Sequence, residues 1–181
     1  KISALKSFFK YQLKTGVLVT SPMATIVTPK VRKRLPAFVA EVDMETLFAN
    51  IEFPDNWKGL TQKLVLQLFY STGMRLSELV QLKTSQLDPS LKQLKVVGKG
   101  NKERLLPLGP ALLQQLQDYI ALRPTKLPGI DNLFTNENGK PLQPRMVYTF
   151  VKHYLSLVTT LQQKSPHILR HSFATHLMNN G

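Results

Sequence analysis

Three stretches of the chain carry residues whose types and spacing suit work on a phosphate group. In Ser71-Thr72-Gly73-Met74-Arg75-Leu76-Ser77-Glu78-Leu79, a glycine breaks one helix and an arginine opens the next. Free backbone N–H groups at a helix start attract anions, and a planar guanidinium fork fits two phosphate oxygens at once. The same spacing also suits a surface ion pair between Arg75 and Glu78 at i+3. The second stretch is basic, with Lys92, Lys95, Lys99, Lys102 and Arg104 around the turn Gly98-Lys99-Gly100-Asn101. Lys99 stands between two glycines, so its backbone can approach a ligand closely, and its amine could reach a DNA groove or a departing oxygen. A solvated basic hairpin would read the same way. The third stretch runs from Ser165 to His176. There His167 and Arg170, three apart, share a helical face, and an imidazole beside a guanidinium suits binding and protonating a phosphate. His167 and His171 at i, i+4 could instead hold a metal. However, no Glu follows His167 as in zinc proteases, and the chain has no Cys, so no metal is expected.

Charge points the same way. Lys and Arg number 24 against 11 Asp and Glu, a formal net charge of +13. Such a field concentrates polyanions. Double-stranded DNA is the expected partner, ahead of an anionic membrane surface. No stretch approaches the roughly 18 uninterrupted apolar residues of a membrane helix, so no membrane partner is expected. The absence of Cys excludes disulfide scaffolds and thiolate metal sites.

The elements that must position these residues follow from periodicity. Ile2, Leu5, Phe9 and Leu13 predict a helix over 2–14, with Gly16 as a stop signal. Residues 15–36 hold three prolines and the run Lys30, Arg32, Lys33, Arg34; they read as an interdomain linker able to strap a phosphate backbone. From residue 37 the pattern is that of one domain. Asp43 is read as the cap of a helix running to about Ile51. Leu60, Leu64, Leu68 and Phe69 mark a second helix, and Leu76, Leu79, Val80 and Leu82 a third. Residues 92–97 and 103–108 read as a β-hairpin. Pro110 suits the first turn of a helix, and Asn138-Gly139 and Pro141 mark a turn. Val147 to Val158 repeat at helical spacing. Ser165-Pro166 starts a last helix, with Leu169, Phe173 and Leu177 as its buried stripe. The expected fold is α+β, mainly helical with a small antiparallel sheet.

The Thr72–Leu79 segment, the Gly98–Leu108 hairpin and the His167–Leu177 helix, in this order, resemble the tyrosine recombinase family of phage integrases, and within it the Xer-type bacterial recombinases. The likeness runs from about Leu35 to Gly181. It implies the catalytic-domain fold of that family over 37–181. It also implies that residues 1–14 are the last helix of an N-terminal DNA-binding domain, with 15–36 as the linker. By resemblance, Arg75 and Arg170 clamp the scissile phosphate and neutralise charge on its non-bridging oxygens. Lys99 protonates the departing 5′ oxygen, His167 assists proton transfer, and Glu103 supports the site. Lys95, Lys102 and Arg104 join the linker's basic run as DNA-contacting residues.

The family's nucleophile is a tyrosine that forms a 3′-phosphotyrosyl link, so neither metal nor nucleotide cofactor is expected. That tyrosine should lie several helical turns beyond Gly181. Of the five tyrosines present, Tyr119, Tyr148 and Tyr154 read as core, Tyr11 precedes the linker, and Tyr70 lies just before the Gly73 turn. The chain alone is therefore expected to be an incomplete catalytic domain that forms no adduct with DNA. The implied activity is site-specific recombination by a tetrameric assembly on nucleoid DNA in a bacterial cytoplasm. The alternative is a non-catalytic DNA-binding module on the same fold.

Overall fold

The structure is a computed structural model and describes residues 2–27, 37–123 and 127–180, apart from the side chains of Lys99 and Asn180. The basic run Lys30 to Arg34, expected to belong to a linker, lies outside the described residues. The chain divides into two units, Lys1–Leu35 and Pro36–Gly181. The first holds α1 (Ile2–Lys14), none of whose residues is buried. It ends where Gly16 takes a left-handed conformation, φ 75°, which costs glycine little.

The second unit is built around α3 (Trp57–Thr72). Asn56 caps its start, its side chain accepting from the Gly59 N–H at 3.0 Å. Leu64, Val65, Leu66, Leu68 and Phe69 are all buried, while Lys63, Gln67, Tyr70 and Ser71 line the remaining face. So wide an apolar face needs several partners, and α5 (Pro110–Ala121), α6 (Pro144–Val158) and α7 (Pro166–Asn180) pack against it. Trp57 stacks on Tyr119 of α5 with ring centroids 4.1 Å apart. The polar ends of these rings are satisfied: the Tyr119 hydroxyl lies 2.9 Å from that of Thr61, and Tyr154 donates to Gln62 at 2.9 Å. Before α3 lies α2 (Glu41–Asn50), and after it the short α4 (Leu76–Gln81). Asp43 does not cap α2 as expected. It lies inside the first turn and Ala40 is the N-cap, without a side-chain bond; there the carboxylate still meets the positive end of the helix dipole.

The hairpin forms as β2 (Gln93–Val97) and β3 (Glu103–Pro107), joined by a tight 3-10 turn over Lys99–Asn101. Gly100 and Asn101 both have positive φ, 76° and 57°, which explains the Gly-Asn pair at this position. A third strand, β1 (Leu87–Asp88), pairs antiparallel with β2, so the sheet order is β1-β2-β3. Two residues are too few to show alternation, and the sequence pattern did not reveal it. Alternation in β2 buries Leu94 and Val96 and exposes Lys95 and Val97.

In α7, Pro166 takes the first helical position, while the Ser165 carbonyl accepts from the N–H groups of Ile168 and Leu169. The buried side differs from the expected stripe. Ile168, Leu169, Ser172 and His176 are buried, Phe173 is half-buried, and Leu177 is 60% exposed. Ser172 explains the shift: its hydroxyl accepts from the Val39 N–H at 2.8 Å and donates to the Ile168 carbonyl at 2.9 Å, so a polar residue occupies the core-facing row. Likewise Tyr148 is not core but 47% exposed, whereas Tyr119 and Tyr154 are buried.

Candidate active site

Arg75 is the N-cap residue of α4, placed there by the turn that ends α3. Gly73 makes that turn possible. It is left-handed, φ 58°, and closes α3 by donating to the Phe69 carbonyl at 2.9 Å. It also touches α7: a methyl group on Gly73 would lie 2.4 Å from the Phe173 ring. From the same helix, Nη1 of Arg170 donates to the Gly73 carbonyl. One glycine therefore sets the approach of both arginines. Gly73→Ala should lower stability by about 2–5 kcal/mol, combining left-handed strain with overpacking against Phe173. A thermal melt shifted by less than about 2 °C would show that the turn tolerates a side chain.

Behind Arg75 lies Glu78, whose side chain is only 3% exposed. Its carboxylate accepts four bonds. Oε2 takes the Arg75 backbone N–H at 2.7 Å and Nη2 of Arg104 at 2.7 Å. Oε1 takes Nη1 of Arg75 at 3.0 Å and Nη1 of Arg104 at 2.9 Å. Burial opposes the charged form of Glu78, but these hydrogen bonds from Arg75 and Arg104 outweigh it and hold the carboxyl below its ordinary range. Arg75 is nevertheless 52% exposed, and among the described residues only Nη1 of its guanidinium is engaged. The ion pair at i+3 is thus present, and the remaining donors stay available for an anion.

Arg170 completes a cluster of three guanidiniums around one carboxylate. Burial and the nearby charges of Arg75 and Arg104 pull its pKa below the ordinary value, against the pull of Glu78. His167, one turn before it on α7, lies in the same field. Burial, His171 and Arg170 lower its pKa below 6.5 and keep the ring neutral at neutral pH. Nε2 of His167 lies 2.9 Å from Nε2 of His171. Among the described residues, no group of three or more metal-capable side chains occurs.

The hairpin reaches this cluster. A methyl group on Gly98 would lie 3.4 Å from Oε1 of Glu78 and 3.8 Å from Nη1 of Arg75. The Gly98 N–H donates to the Lys102 carbonyl at 2.8 Å, so the turn that carries Lys99 opens beside Arg75. The other hairpin residues divide differently from the expectation. Glu103 is not among the arginines; it pairs with Lys95 across the outer face at 2.8 Å, and that pair is half-exposed. Arg104 is not a free basic residue but the bidentate partner of Glu78. Lys102 is exposed. Strand alternation held the signal for Arg104, which is in phase with Leu106 and opposite Val96, on the inward face. A cleft of about 930 Å³ elsewhere, lined by Lys58, Gln62, Leu142, Arg145 and Phe150, includes none of these residues.

Residues 37–181 match the phage integrase family. The chain belongs to that family. Among its phage integrase relatives, tyrosine recombinase XerC of Staphylococcus epidermidis is 38% identical over 182 residues, covering 100% of this chain and 61% of the relative. XerC of Chlorobaculum parvum is 34% identical over 203 residues, covering 100% of this chain and 60% of its own. The chain thus spans about three-fifths of the length of these relatives. In fold it is similar to the XerH site-specific recombinase bound to palindromic difH substrate, a post-cleavage complex, with a TM-score of 0.75. That likeness covers 86% of this chain and 47% of the other at 23% identity, and speaks for the fold alone. No helix among the described residues is long and apolar enough to cross a membrane.

Proposed function

We propose that this chain holds the phosphate-handling part of a site-specific recombinase that cuts and rejoins duplex DNA. The observation that carries the reading is the pair Arg75 and Arg170. Each is anchored from behind, on Glu78 and on the Gly73 carbonyl, with further guanidinium donors left over. A protein that only attracts DNA needs charge, but not two guanidiniums fixed around one turn. The arginines would hold the non-bridging oxygens of the scissile phosphate, where charge develops in the transition state. A tyrosine oxygen attacks phosphorus as neutral His167 takes its proton, and the P–O bond to the 5′ oxygen breaks as that oxygen takes a proton from Lys99. The ester so formed keeps the bond energy, and attack by a 5′ hydroxyl rejoins the strand and releases the tyrosine. We place the supporting carboxylate at Glu78 rather than Glu103.

None of the five tyrosines suits the nucleophile's role. Tyr119 and Tyr154 are buried. Tyr70 shares a hydrogen bond with Nδ1 of His176 at 2.8 Å, and burial, with Glu41 and Glu45, pushes its pKa up, away from a reactive phenolate. Tyr148 is 47% exposed on α6, and Tyr11 belongs to α1 of the first unit. We therefore place the nucleophile past Gly181, in the longer protein. By the same resemblance, residues 1–14 end a DNA-binding domain, Lys30 to Arg34 and Lys102 meet backbone phosphates, and four copies assemble on the site within a bacterial nucleoid.

Two measurements test this. Binding of a duplex by the chain itself, followed by fluorescence anisotropy, should weaken steeply with salt, with close to one unit of log–log slope per phosphate neutralised. A flat response would remove DNA as the partner. In the full-length protein, cleavage of a nicked duplex should fall as pH drops through the lowered pKa of His167, because the neutral ring is the form that accepts a proton. His167→Gln should remove that acid limb; an unchanged limb would take His167 out of the proton path.

A further inference from the structure

We infer that Arg104 is a positioning residue that acts through Glu78, setting both the fork of Arg75 and the hairpin turn of Lys99. This rests on the proposed cleavage chemistry.

The geometry of Glu78 leads to it. A carboxylate offers about four lone-pair sites, and all four are filled. Arg104 takes one on each oxygen, at 2.9 and 2.7 Å, while Arg75 uses its backbone N–H and a single guanidinium nitrogen. A buried carboxylate facing Arg75 alone would draw that guanidinium into a two-pronged pair, the preferred arrangement of Arg with carboxylate. Arg75 would then lose the donors that a phosphate needs. By holding both oxygens, Arg104 limits Arg75 to one bond and leaves the rest of its fork outward. Arg104 thus does for Arg75 what a competing cation does for any shared anion.

The second half concerns the hairpin. Arg104 lies on β3, opposite Val96 of β2 and one residue from Glu103, where the strand emerges from the Lys99 turn. Glu78 lies on α4. The Arg104–Glu78 pair therefore ties the sheet to the helix that presents Arg75, on the side where Gly98 approaches both residues. Two parallel hydrogen bonds fix orientation as well as distance. Without them the turn would still be closed by its own ladder, and the sheet would still be held by β1 and by the Gln86 bond to the Lys95 carbonyl, but the two bonds that orient β3 on α4 would be lost.

This differs from the plain reading of a basic hairpin. There, Arg104 is one more cation for backbone phosphates. Here its charge is already matched by Glu78, and its loss should not remove a phosphate contact.

The experiment uses the full-length protein with Arg104→Met, Glu78→Gln and the double variant. It measures duplex affinity against salt and single-turnover cleavage of a nicked duplex. Arg104→Met should leave the salt slope at the wild-type value and slow cleavage by up to about 100-fold, the scale of a small misplacement of reacting groups. If Arg104 works through Glu78, the double variant should cleave no more slowly than Glu78→Gln alone. A slope lower by about one unit would make Arg104 a phosphate contact and overturn the inference. So would a double variant slower than Glu78→Gln by the same factor that separates Arg104→Met from wild type, as a separate structural role would give. Should Arg104→Met fail to fold, Arg104→Lys keeps the charge but cannot span both oxygens. It should bind with an unchanged slope and cleave slowly, and wild-type cleavage would overturn the inference. If the wild-type protein binds DNA without cutting it, the proposed function fails, while the salt slope of Arg104→Met still decides whether Arg104 meets phosphate.

Discussion

Arg75→Lys in the full-length protein should lose strand cleavage by about 100- to 1000-fold, the usual effect of removing one donor from developing transition-state charge. The charge is retained, so duplex affinity should change little. Stability should also change little. A lysine at this place can still pair with Glu78, and the Arg75 side chain is half-exposed, where an ion pair contributes about 1 kcal/mol or less. What is lost is the fork, since an ammonium cannot hold two phosphate oxygens in one plane. Arg170→Ala should be as severe for cleavage, but not silent for the fold. It deletes the bond to the Gly73 carbonyl, and a hydrogen bond from a charged donor contributes about 1.5–3 kcal/mol. Near-normal cleavage by Arg75→Lys, with an unshifted melt, would show that Arg75 is not the clamp.

Glu78→Ala should be the most destabilising single change in the site. It removes a carboxylate whose side chain is 3% exposed and leaves the partly buried Arg104 without its partner. Breaking a buried pair in this way costs about 3–5 kcal/mol, or a melting temperature lower by about 6–20 °C for a domain of this size. The pH dependence follows from the direction of the Glu78 shift. Its folded pKa lies below the ordinary 4.5. The stabilisation is therefore complete above that value and is lost as pH falls through the folded pKa. The difference in melting temperature between wild type and Glu78→Ala should be full at pH 7 and shrink as pH falls below 4.5. A difference that stays constant would mean that the Glu78 charge contributes nothing.

Much of this arrangement could be read before any coordinates. Long periodic segments predicted α3, α5 and α6 because their apolar rows have one partner, the core. Proline at a first helical position and glycine after a last one marked helix ends for a steric reason that tertiary context does not override. The readings that failed depended on packing. In α7, a core-facing Ser172 that bonds both Val39 and Ile168 moves the buried row away from Leu177. Tyr148 shares the period of its helix but lies on the outer side. Arg170 bonds the carbonyl of Gly73, two residues before Arg75. Glu78, however, reads in the sequence only as a surface partner of Arg75, and Arg104 as a DNA-contacting residue of the hairpin. Their pairing joins residues 26 apart, so no local pattern contains it. Only the phase of β3 pointed inward.

In the proposed function, Arg75, Lys99, His167 and Arg170 serve a tyrosine outside the five present here. The most direct measurement is to trap the full-length protein on a labelled nicked duplex and digest the adduct. Mass spectrometry of the peptide left on the DNA then identifies the attached residue. The expected result is a 3′-phosphotyrosyl peptide whose tyrosine lies past Gly181, and no adduct with residues 1–181 alone. A DNA-linked peptide containing Tyr70 or Tyr148, or bound DNA that is never joined to protein, would contradict it.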